Sequence, residues 1–223
     1  MKPVVVIPFR GVDEDRRLNL KTILRTYENL ELPVFLGDHE GEFTSAIAKN
    51  VAATEAIAAI DPDVLFVTDS DLMIRNHRQV TTACRIAVEQ DCYVIAYDRL
   101  VYLGERGTLR AREGRPPTRK DMDNAVSKTW GGAFAISRTL WERVGGYDPR
   151  FVGYGHDDIA FTPCANTMGG TWKERVFGYC YHLNHPESDK SNHQGWNAAL
   201  ASRYRALDGD RDGMARLLAE RCR

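Results

Sequence analysis

The sequence has 223 residues, 43% of them hydrophobic and 27% charged, with a formal net charge of −1. These values are typical of an ordinary soluble globular domain and exclude the strongly basic composition of a nucleic-acid coat protein. Five cysteines without a CxxC pair argue against a disulfide framework or a zinc site, and no apolar run approaches a membrane span, so we expect a single domain in a reducing cytoplasm without membrane insertion.

The first part of the chain alternates strands and helices. Its patterns predict a strand at Val4–Ile7, a helix at Asp15–Leu30, a strand at Leu32–Leu36, a helix at Thr44–Ile60 and a fully apolar third strand at Val64–Val67. In the second helix, the apolar residues Ile47, Val51, Ile57 and Ile60 are expected to face the core. Strands that alternate with helices predict an α/β fold with a mostly parallel sheet flanked by helices.

Two carboxylates follow the third strand, in the sequence Asp69-Ser70-Asp71. Residues two apart in an extended chain point the same way, so Asp69 and Asp71 can converge on one point. The carboxyl ends of the strands are where open α/β sheets bind ligands, and hard oxygen ligands suit Mg²⁺ or Mn²⁺. The alternative is that these acids only cap the next helix.

The following stretch predicts a helix at Asn76–Gln90 and a strand at Cys92–Tyr97, and then becomes strongly basic. Residues 99–120 contain seven positive and two negative residues together with three glycines and two prolines. The positive residues are Arg99, Arg106, Arg110, Arg112, Arg115, Arg119 and Lys120. This composition predicts a mobile loop that serves as a lid or a binding segment, with a solvated hairpin tip as the alternative.

The C-terminal part predicts a strand at Trp130–Ile136 and a short helix at Thr139–Val144, followed by a glycine-rich segment. That segment delivers Asp157 and Asp158 to the start of a helix, where capping alone would explain one acid. A last strand, Val176–Tyr181, leads into His182-Leu183-Asn184-His185, and residues 194–223 predict two charged helices.

Five motifs in this order resemble the GT-A glycosyltransferases, in particular the inverting family-2-type and β1,4-galactosyltransferase-like enzymes. They are VVVIPFR, AKNVAATEA, FVTDSD, WGGAFAISRTLWERVGGYDPRFVGYGHDD and YHLNH, which together span residues 3–185. The resemblance implies a Rossmann-like nucleotide-sugar-binding half at residues 1–97 and an acceptor-binding catalytic half at 126–193. The basic mobile loop would occupy residues 98–125, and C-terminal helices residues 194–223.

The resemblance also implies roles for individual residues, here listed by role. Pro8, Phe9 and Arg10 would form the donor-diphosphate loop, Asp38 would read the nucleotide base, and Lys49 and Asn50 stand where the family often has an Arg-Asn pair. In the Asp69-Ser70-Asp71 motif, Asp71 would bind the metal directly and Asp69 would contact the ribose or metal-bound water. His182 or His185 would be a further metal ligand. Asp158 would be the general base and Asp157 would bind sugar hydroxyls, or the reverse. Trp130, Gly131, Gly132 and Tyr154 would shape the sugar pocket.

The expected reaction is inverting transfer of a sugar from a UDP-sugar to an acceptor hydroxyl, with Mn²⁺ or Mg²⁺ as cofactor. The basic segment 99–120 suggests an anionic acceptor, such as an acidic glycan, a protein or a hydroxylated DNA base, or else a lid over the donor diphosphate. Two other functions are compatible with the sequence. One is a non-catalytic carbohydrate-binding module, and the other is a nucleotidyltransferase, although its glycine-rich signature is missing after the first strand.

Overall fold

A computed structural model describes residues 1–127, 129–170, 175–187 and 194–222. The strands are β1 (Pro3–Pro8), β2 (Val34–Gly37), β3 (Val64–Thr68), β4 (Leu72–Met73), β5 (Tyr93–Ile95), β6 (Arg99–Leu103), β7 (Met122–Ser127), β8 (Ala133–Ser137) and β9 (Tyr179–His182). The helices are α1 (Glu14–Glu28), α2 (Ser45–Ile60), α3 (His77–Gln90), α4 (Glu105–Arg112), α5 (Arg138–Val144), α6 (Asp157–Met168), α7 (Gln194–Ala206) and α8 (Arg211–Ala219).

The main sheet has the strand order β2-β1-β3-β8-β5. Strand β1 pairs in parallel with β2 and β3, whereas β8 lies antiparallel between β3 and β5. Four of the five strands therefore run in one direction, which confirms the predicted α/β fold with a mostly parallel sheet. Strand β8 begins at the edge where β3 ends, because Ala133 pairs with Thr68.

A second sheet, with the order β4-β9-β6-β7, was not predicted from the sequence. Its strand β4 has only two residues, Leu72 and Met73, which pair with His182 and Tyr181 of β9. This short pairing joins the end of β3 to the histidine-containing segment, more than 100 residues further along the chain.

Helix α2 packs on the main sheet through small residues rather than through the isoleucines and the valine that we expected. Ala46, Ala48, Ala52, Ala53 and Ala56 are fully buried, whereas Ile47, Val51, Ile57 and Ile60 are only partly buried. The helix lies so close to β2 that a Cβ atom at Gly37 would overlap the carbonyl of Ala48. The small alanine side chains allow this approach. Ile57 and Ile60 also pack against the core while partly buried, so the prediction of the buried face was only partly right.

The prediction that the basic stretch is a loop was wrong. Residues 99–120 form strand β6, helix α4 and the start of a short 3₁₀ turn. Four of the seven cations are in ion pairs: Arg106 and Arg110 with Asp121, Arg112 with Asp15, and Arg115 with Glu113. Charges that looked solvated in the sequence are thus largely neutralised by acids that the fold brings to them.

The cysteines agree with the expected absence of a disulfide framework. Cys84, Cys92, Cys164 and Cys180 are buried free thiols, and they are the cysteines whose side chains the structure describes. Residence in the cytoplasm stays a prediction. Within the described part of the chain, none of the helices combines the length and the apolar character needed to cross a bilayer.

Candidate active site

The predicted site residues gather at the edge of the main sheet where β1 and β3 end and β8 begins. There, the amide of Asp69 donates to the carbonyl of Gly132 at 3.0 Å, which joins the Asp69-Ser70-Asp71 turn to the segment before β8. Ser70 lies in that turn and is partly exposed. The carboxyl edge of the parallel strands is thus occupied by acids, as expected for a ligand site in an α/β sheet.

One cluster at this edge consists of Asp71, His182 and His185, whose side chains can each offer one ligand atom within 4.8 Å of the others. Oδ2 of Asp71 lies 2.9 Å from Nε2 of His185 and 4.0 Å from Nε2 of His182. The β4–β9 pairing positions the cluster, because the amide of Leu183 donates to the carbonyl of Asp71 at 2.9 Å. The structure brings both predicted histidines to Asp71.

The geometry of His185 fits a cation. Its Nδ1 lies 2.7 Å from the carbonyl oxygen of Pro186, to which it donates, and its Nε2 faces Oδ2 of Asp71 at 2.9 Å. Contact with Asp71 raises the pKa of His185, so that without an ion the carboxylate favours a proton here. A divalent ion would supply the same positive charge, and one carboxylate with two imidazoles is a donor set that suits Mn²⁺.

The second cluster is centred on Lys49 of α2, whose side chain is only 2% exposed. Its Nζ lies 3.3 Å from Asp69, 3.4 Å from Asp158 and 3.8 Å from Asp157, and it sits 4.7 Å from the centre of the Tyr147 ring. Burial opposes the charge of Lys49, but the three carboxylates outweigh it and raise the pKa of the ammonium group. One ammonium group against three carboxylates leaves an excess of negative charge beside the Asp71 cluster.

Two of these acids have raised pKa values. Burial raises the pKa of Asp69 to about 7 and also raises the pKa of Asp157, even though Lys49 opposes both shifts. Asp69 contacts Lys49, whereas Asp71 contacts the histidines. The two acids of the motif thus belong to adjacent clusters. Whether Asp69 binds a metal stays a prediction.

Asp158 is held more firmly than Asp157. The hydroxyl of Tyr147 donates to Oδ1 of Asp158 at 2.6 Å, the same oxygen that contacts Lys49. Gly131, at φ +61°, packs directly on this carboxylate, and a Cβ atom there would overlap its Cγ. One oxygen of Asp158 is thus fixed on its inner side, and within the described residues no donor reaches Oδ2.

The neighbouring residues of the sugar-pocket prediction also lie at this edge. Gly132, at φ +84°, packs on Leu72 and on the hydroxyl of Tyr97, which donates to the carbonyl of Gly131 at 2.8 Å. Trp130 is 46% exposed and Tyr154 is 49% exposed.

In the predicted donor loop, Arg10 forms hydrogen bonds with the loop that follows β2. Arg10 donates through Nε to Asp38 at 2.8 Å and through a terminal nitrogen to the carbonyl of Gly41 at 2.6 Å, and it also bonds the carbonyl of His39. The hydrogen bond from Arg10 lowers the pKa of Asp38. Pro8 is the last residue of β1, and the amide of Phe9 continues its pairing with Gly37. Arg10 and Asp38 thus join the loop after β1 to the loop after β2.

Asn50 has a different position from the one that the resemblance implies. Its amide donates to the carbonyl of Tyr147 at 2.8 Å and its oxygen accepts from the Tyr147 amide at 2.8 Å. Asn50 therefore holds the backbone of Tyr147, whose hydroxyl holds Asp158.

Two residues that hold the acidic loop escaped the sequence interpretation. One is Tyr147, and the other is Asn197 of α7, which is fully buried. The amide of Asn197 donates to the carbonyls of Val152 at 2.9 Å and Gly155 at 3.1 Å, just before Asp157. A buried polar residue on a helix with loop partners some 40 residues away has no signature in the sequence, so only the fold reveals it.

Comparison with known proteins finds a family match for one part of the chain. Residues 118–186 match a family model described as the N-terminal domain of galactosyltransferase. No curated protein matches the sequence.

Solved structures show a similar fold. The catalytic domain of Drosophila β1,4-galactosyltransferase 7, solved with xylobiose, is 14% identical and has a TM-score of 0.53 over 88% of this chain and 79% of its own. GalNAc-T7, solved with UDP, GalNAc and Mn²⁺, is 15% identical and has a TM-score of 0.50 over 100% of this chain and 54% of its own. The chain has the GT-A glycosyltransferase fold. The resemblance seen in the sequence is therefore confirmed, by the fold of the whole chain and by the family match of residues 118–186.

Proposed function

We propose that this protein is a divalent-metal-dependent, inverting glycosyltransferase that moves a sugar from a UDP-sugar to an acceptor hydroxyl. The observation that carries the proposal is the pairing of two clusters at one sheet edge, the candidate metal ligands around Asp71 and the acids around Lys49. The complex of GalNAc-T7 with UDP and Mn²⁺, on a similar fold, supports this choice of cofactor and nucleotide.

The metal would be held by Asp71, His182 and His185, in agreement with the geometry of His185. Burial opposes ionisation of Asp71, but the two histidines outweigh it and lower its pKa, so this ligand is charged at neutral pH. When bound, a divalent ion would neutralise the negative charge that develops on a departing diphosphate. Imidazole ligands favour Mn²⁺ over Mg²⁺.

Asp158 is the best candidate for the general base. Tyr147 and Lys49 fix its Oδ1, which orients Oδ2 to take the proton from an acceptor hydroxyl during attack on the sugar. Asp157 lies farther from Lys49, at 3.8 Å, and we assign it to sugar hydroxyls. These contacts favour Asp158 rather than Asp157 as the general base.

The role of Lys49 differs from that of a phosphate-binding arginine. Because its ammonium group is buried among three carboxylates, we propose that it orients the acids. The paired Arg10 and Asp38 would then shape the nucleotide pocket together within the half at residues 1–97.

For the acceptor we propose a sugar hydroxyl, bound in the half at residues 126–193, because this half contributes Asp158 and the exposed aromatic residues Trp130 and Tyr154. The case for an anionic acceptor is weaker than the sequence suggested, since Arg106, Arg110 and Arg112 are paired within the fold. A DNA acceptor has no support.

The test is a panel of UDP-sugars with and without Mn²⁺, in which UDP release and glycosylated products are measured. Asp158→Asn should retain UDP binding by calorimetry but lose transfer by about 10²- to 10⁴-fold, and Asp71→Ala should lose the response to Mn²⁺. Asp212→Asn, which removes an exposed acid on α8, is the matched control and should behave like the wild type.

Full transfer in EDTA would contradict the metal assignment. A selective rate loss in Asp157→Asn instead of Asp158→Asn would exchange the two roles. Release of sugar 1-phosphate instead of UDP would indicate a nucleotidyltransferase, and UDP-sugar binding without any turnover would indicate a carbohydrate-binding module.

A further inference from the structure

A cavity of about 220 Å³ lies between the second half of α1, the segment after β4 and the end of α4. It is lined by Thr22, Arg25, Thr26, Asn29, Met73, Arg75, His77, Ala111 and Gly114. None of the residues proposed for sugar transfer is among them.

The lining is basic in a protein whose overall charge is nearly neutral. Arg25, Arg75 and His77 reach the cavity from two separate segments, and no lining residue is acidic. Elsewhere in this protein arginines commonly have acidic partners, as Arg112 and Arg150 do, yet within the described residues neither Arg25 nor Arg75 has a carboxylate within 4.0 Å. The cavity therefore holds positive charge that the fold does not neutralise.

The guanidinium of Arg25 is held in place rather than freely solvated. One of its terminal nitrogens donates to the carbonyl of Arg112 at 2.6 Å and contacts the hydroxyl of Thr22 at 3.4 Å. Its Nε lies 3.4 Å from the carbonyl of Lys21, so the other terminal nitrogen is the one for which the described residues show no partner. A fixed guanidinium with a second arginine nearby is the arrangement by which proteins bind phosphate, because the planar fork matches the oxygens of the anion.

The cavity is separate from the candidate metal cluster. Helix α1 meets that cluster at its other end, where Arg16 donates to the carbonyl of Pro186, beside His185, at 2.9 Å. Arg25 lies nine residues further along α1, which corresponds to about 13 Å of helix. Met73 of the lining lies two residues after Asp71, but none of the candidate metal ligands lines the cavity.

We propose that this cavity binds the phosphate group of a small soluble phosphomonoester. Its volume lies below the range of about 300–1,000 Å³ that is usual for larger organic ligands, so the remainder of the ligand is small. This inference goes beyond the proposed sugar transfer and does not depend on it. It adds a second anion site, with Arg25 and Arg75 as the main contacts and His77 and Asn29 beside them.

The experiment measures binding of inorganic phosphate and of glycerol 3-phosphate by calorimetry and by the rise in melting temperature, against chloride at equal ionic strength. EDTA is present so that no metal ion holds phosphate at Asp71. Arg25→Gln with Arg75→Gln should weaken binding of both probes at least about tenfold, since each removes hydrogen bonds to a charged group. Arg78→Gln is the matched control, because Arg78 is exposed in the same segment but does not line the cavity.

Glycerol 3-phosphate should bind more tightly than phosphate, because its carbon skeleton would fill more of the cavity. Equal binding by the double variant, or no effect of phosphate beyond that of chloride, would overturn the proposal. If the double variant is unstable without ligand, the exposed Arg75→Gln alone carries the test. Vesicles that contain phosphatidic acid should not bind, and vesicle binding that Arg75→Gln abolishes would show a lipid surface site instead.

Discussion

Replacing Lys49 by methionine tests the charge balance on which the active-site proposal rests. The substitution keeps the length and apolar stem of a side chain that is 2% exposed, but it removes the ammonium group that lies 3.3–3.8 Å from three carboxylates. At an effective dielectric constant of about 20, each such contact is a gross attraction of about 4–5 kcal/mol, from which the desolvation of the ions must be subtracted. Breaking a buried charge network by removing one partner typically costs about 3–5 kcal/mol.

We therefore expect Lys49→Met to lower the free energy of unfolding by about 3 kcal/mol or more, and the melting temperature by about 6–12 °C for a chain of this size. Urea denaturation at pH 7, followed by fluorescence and circular dichroism, measures the change. Lys21→Met, at an exposed position of α1, is the matched control and should change stability by less than about 0.5 kcal/mol.

A loss below about 1 kcal/mol for Lys49→Met would show that the carboxylates adapt without the ammonium group, for example by taking up protons. If transfer were also unchanged, the assignment of Lys49 as the residue that orients Asp158 would be wrong. A stable variant that still loses transfer but keeps UDP affinity would instead leave the orienting role intact and remove only the structural one.

Three further substitutions probe the support of the acidic loop. Tyr147→Phe removes the 2.6 Å hydrogen bond to Asp158, and we expect kcat to fall about tenfold with little change in UDP affinity; an unchanged kcat would contradict the assignment of Asp158. Asn197→Ala removes two hydrogen bonds to the loop, and we expect the free energy of unfolding, measured in urea, to fall by about 2 kcal/mol. We also expect a lower kcat at a nearly constant KM for the UDP-sugar. A change in stability alone would make Asn197 purely structural. For Asp148, burial opposes ionisation, but hydrogen bonds from Arg150 and Tyr204 outweigh this effect and lower the pKa of the carboxyl group. The contribution of Asp148 to stability is therefore present above about pH 4 and is lost as the pH falls through the lowered pKa. Asp148→Asn should therefore be less stable than the wild type at pH 7, and this difference should shrink in denaturation curves measured at progressively lower pH below 4.

Several features of this protein can be predicted from local sequence because local physics decides them. Strand β3 is an apolar run that stops at Asp69, and a capping residue precedes α1, α3 and α5, namely Asp13, Asn76 and Ser137. Backbone hydrogen bonding and capping involve residues a few positions apart, so their pattern is written in the order of the residues. The same reasoning placed two acids at the end of β3 and two at the start of α6.

Contacts between distant segments decided the rest. The hydrophobic pattern of α2 does not reveal that Gly37 of β2 lies against Ala48, and the charges of α4 do not reveal that Arg112 meets Asp15, 97 residues earlier in the chain. The two-residue strand β4 is too short to have a pattern of its own, yet its pairing with β9 brings Asp71 to the histidines.

The candidate site itself divides in the same way. The two acids after β3 predicted a cation site, and the resemblance of five motifs to the GT-A glycosyltransferases implied the sugar nucleotide and the histidine ligands. Only the tertiary structure decided that Asp69 and Asp71 belong to two adjacent clusters, that Lys49 lies among three acids and that Tyr147 holds Asp158. The physical reason is that electrostatic and hydrogen-bonding partners are chosen by distance in space, which the order of residues in the chain does not record.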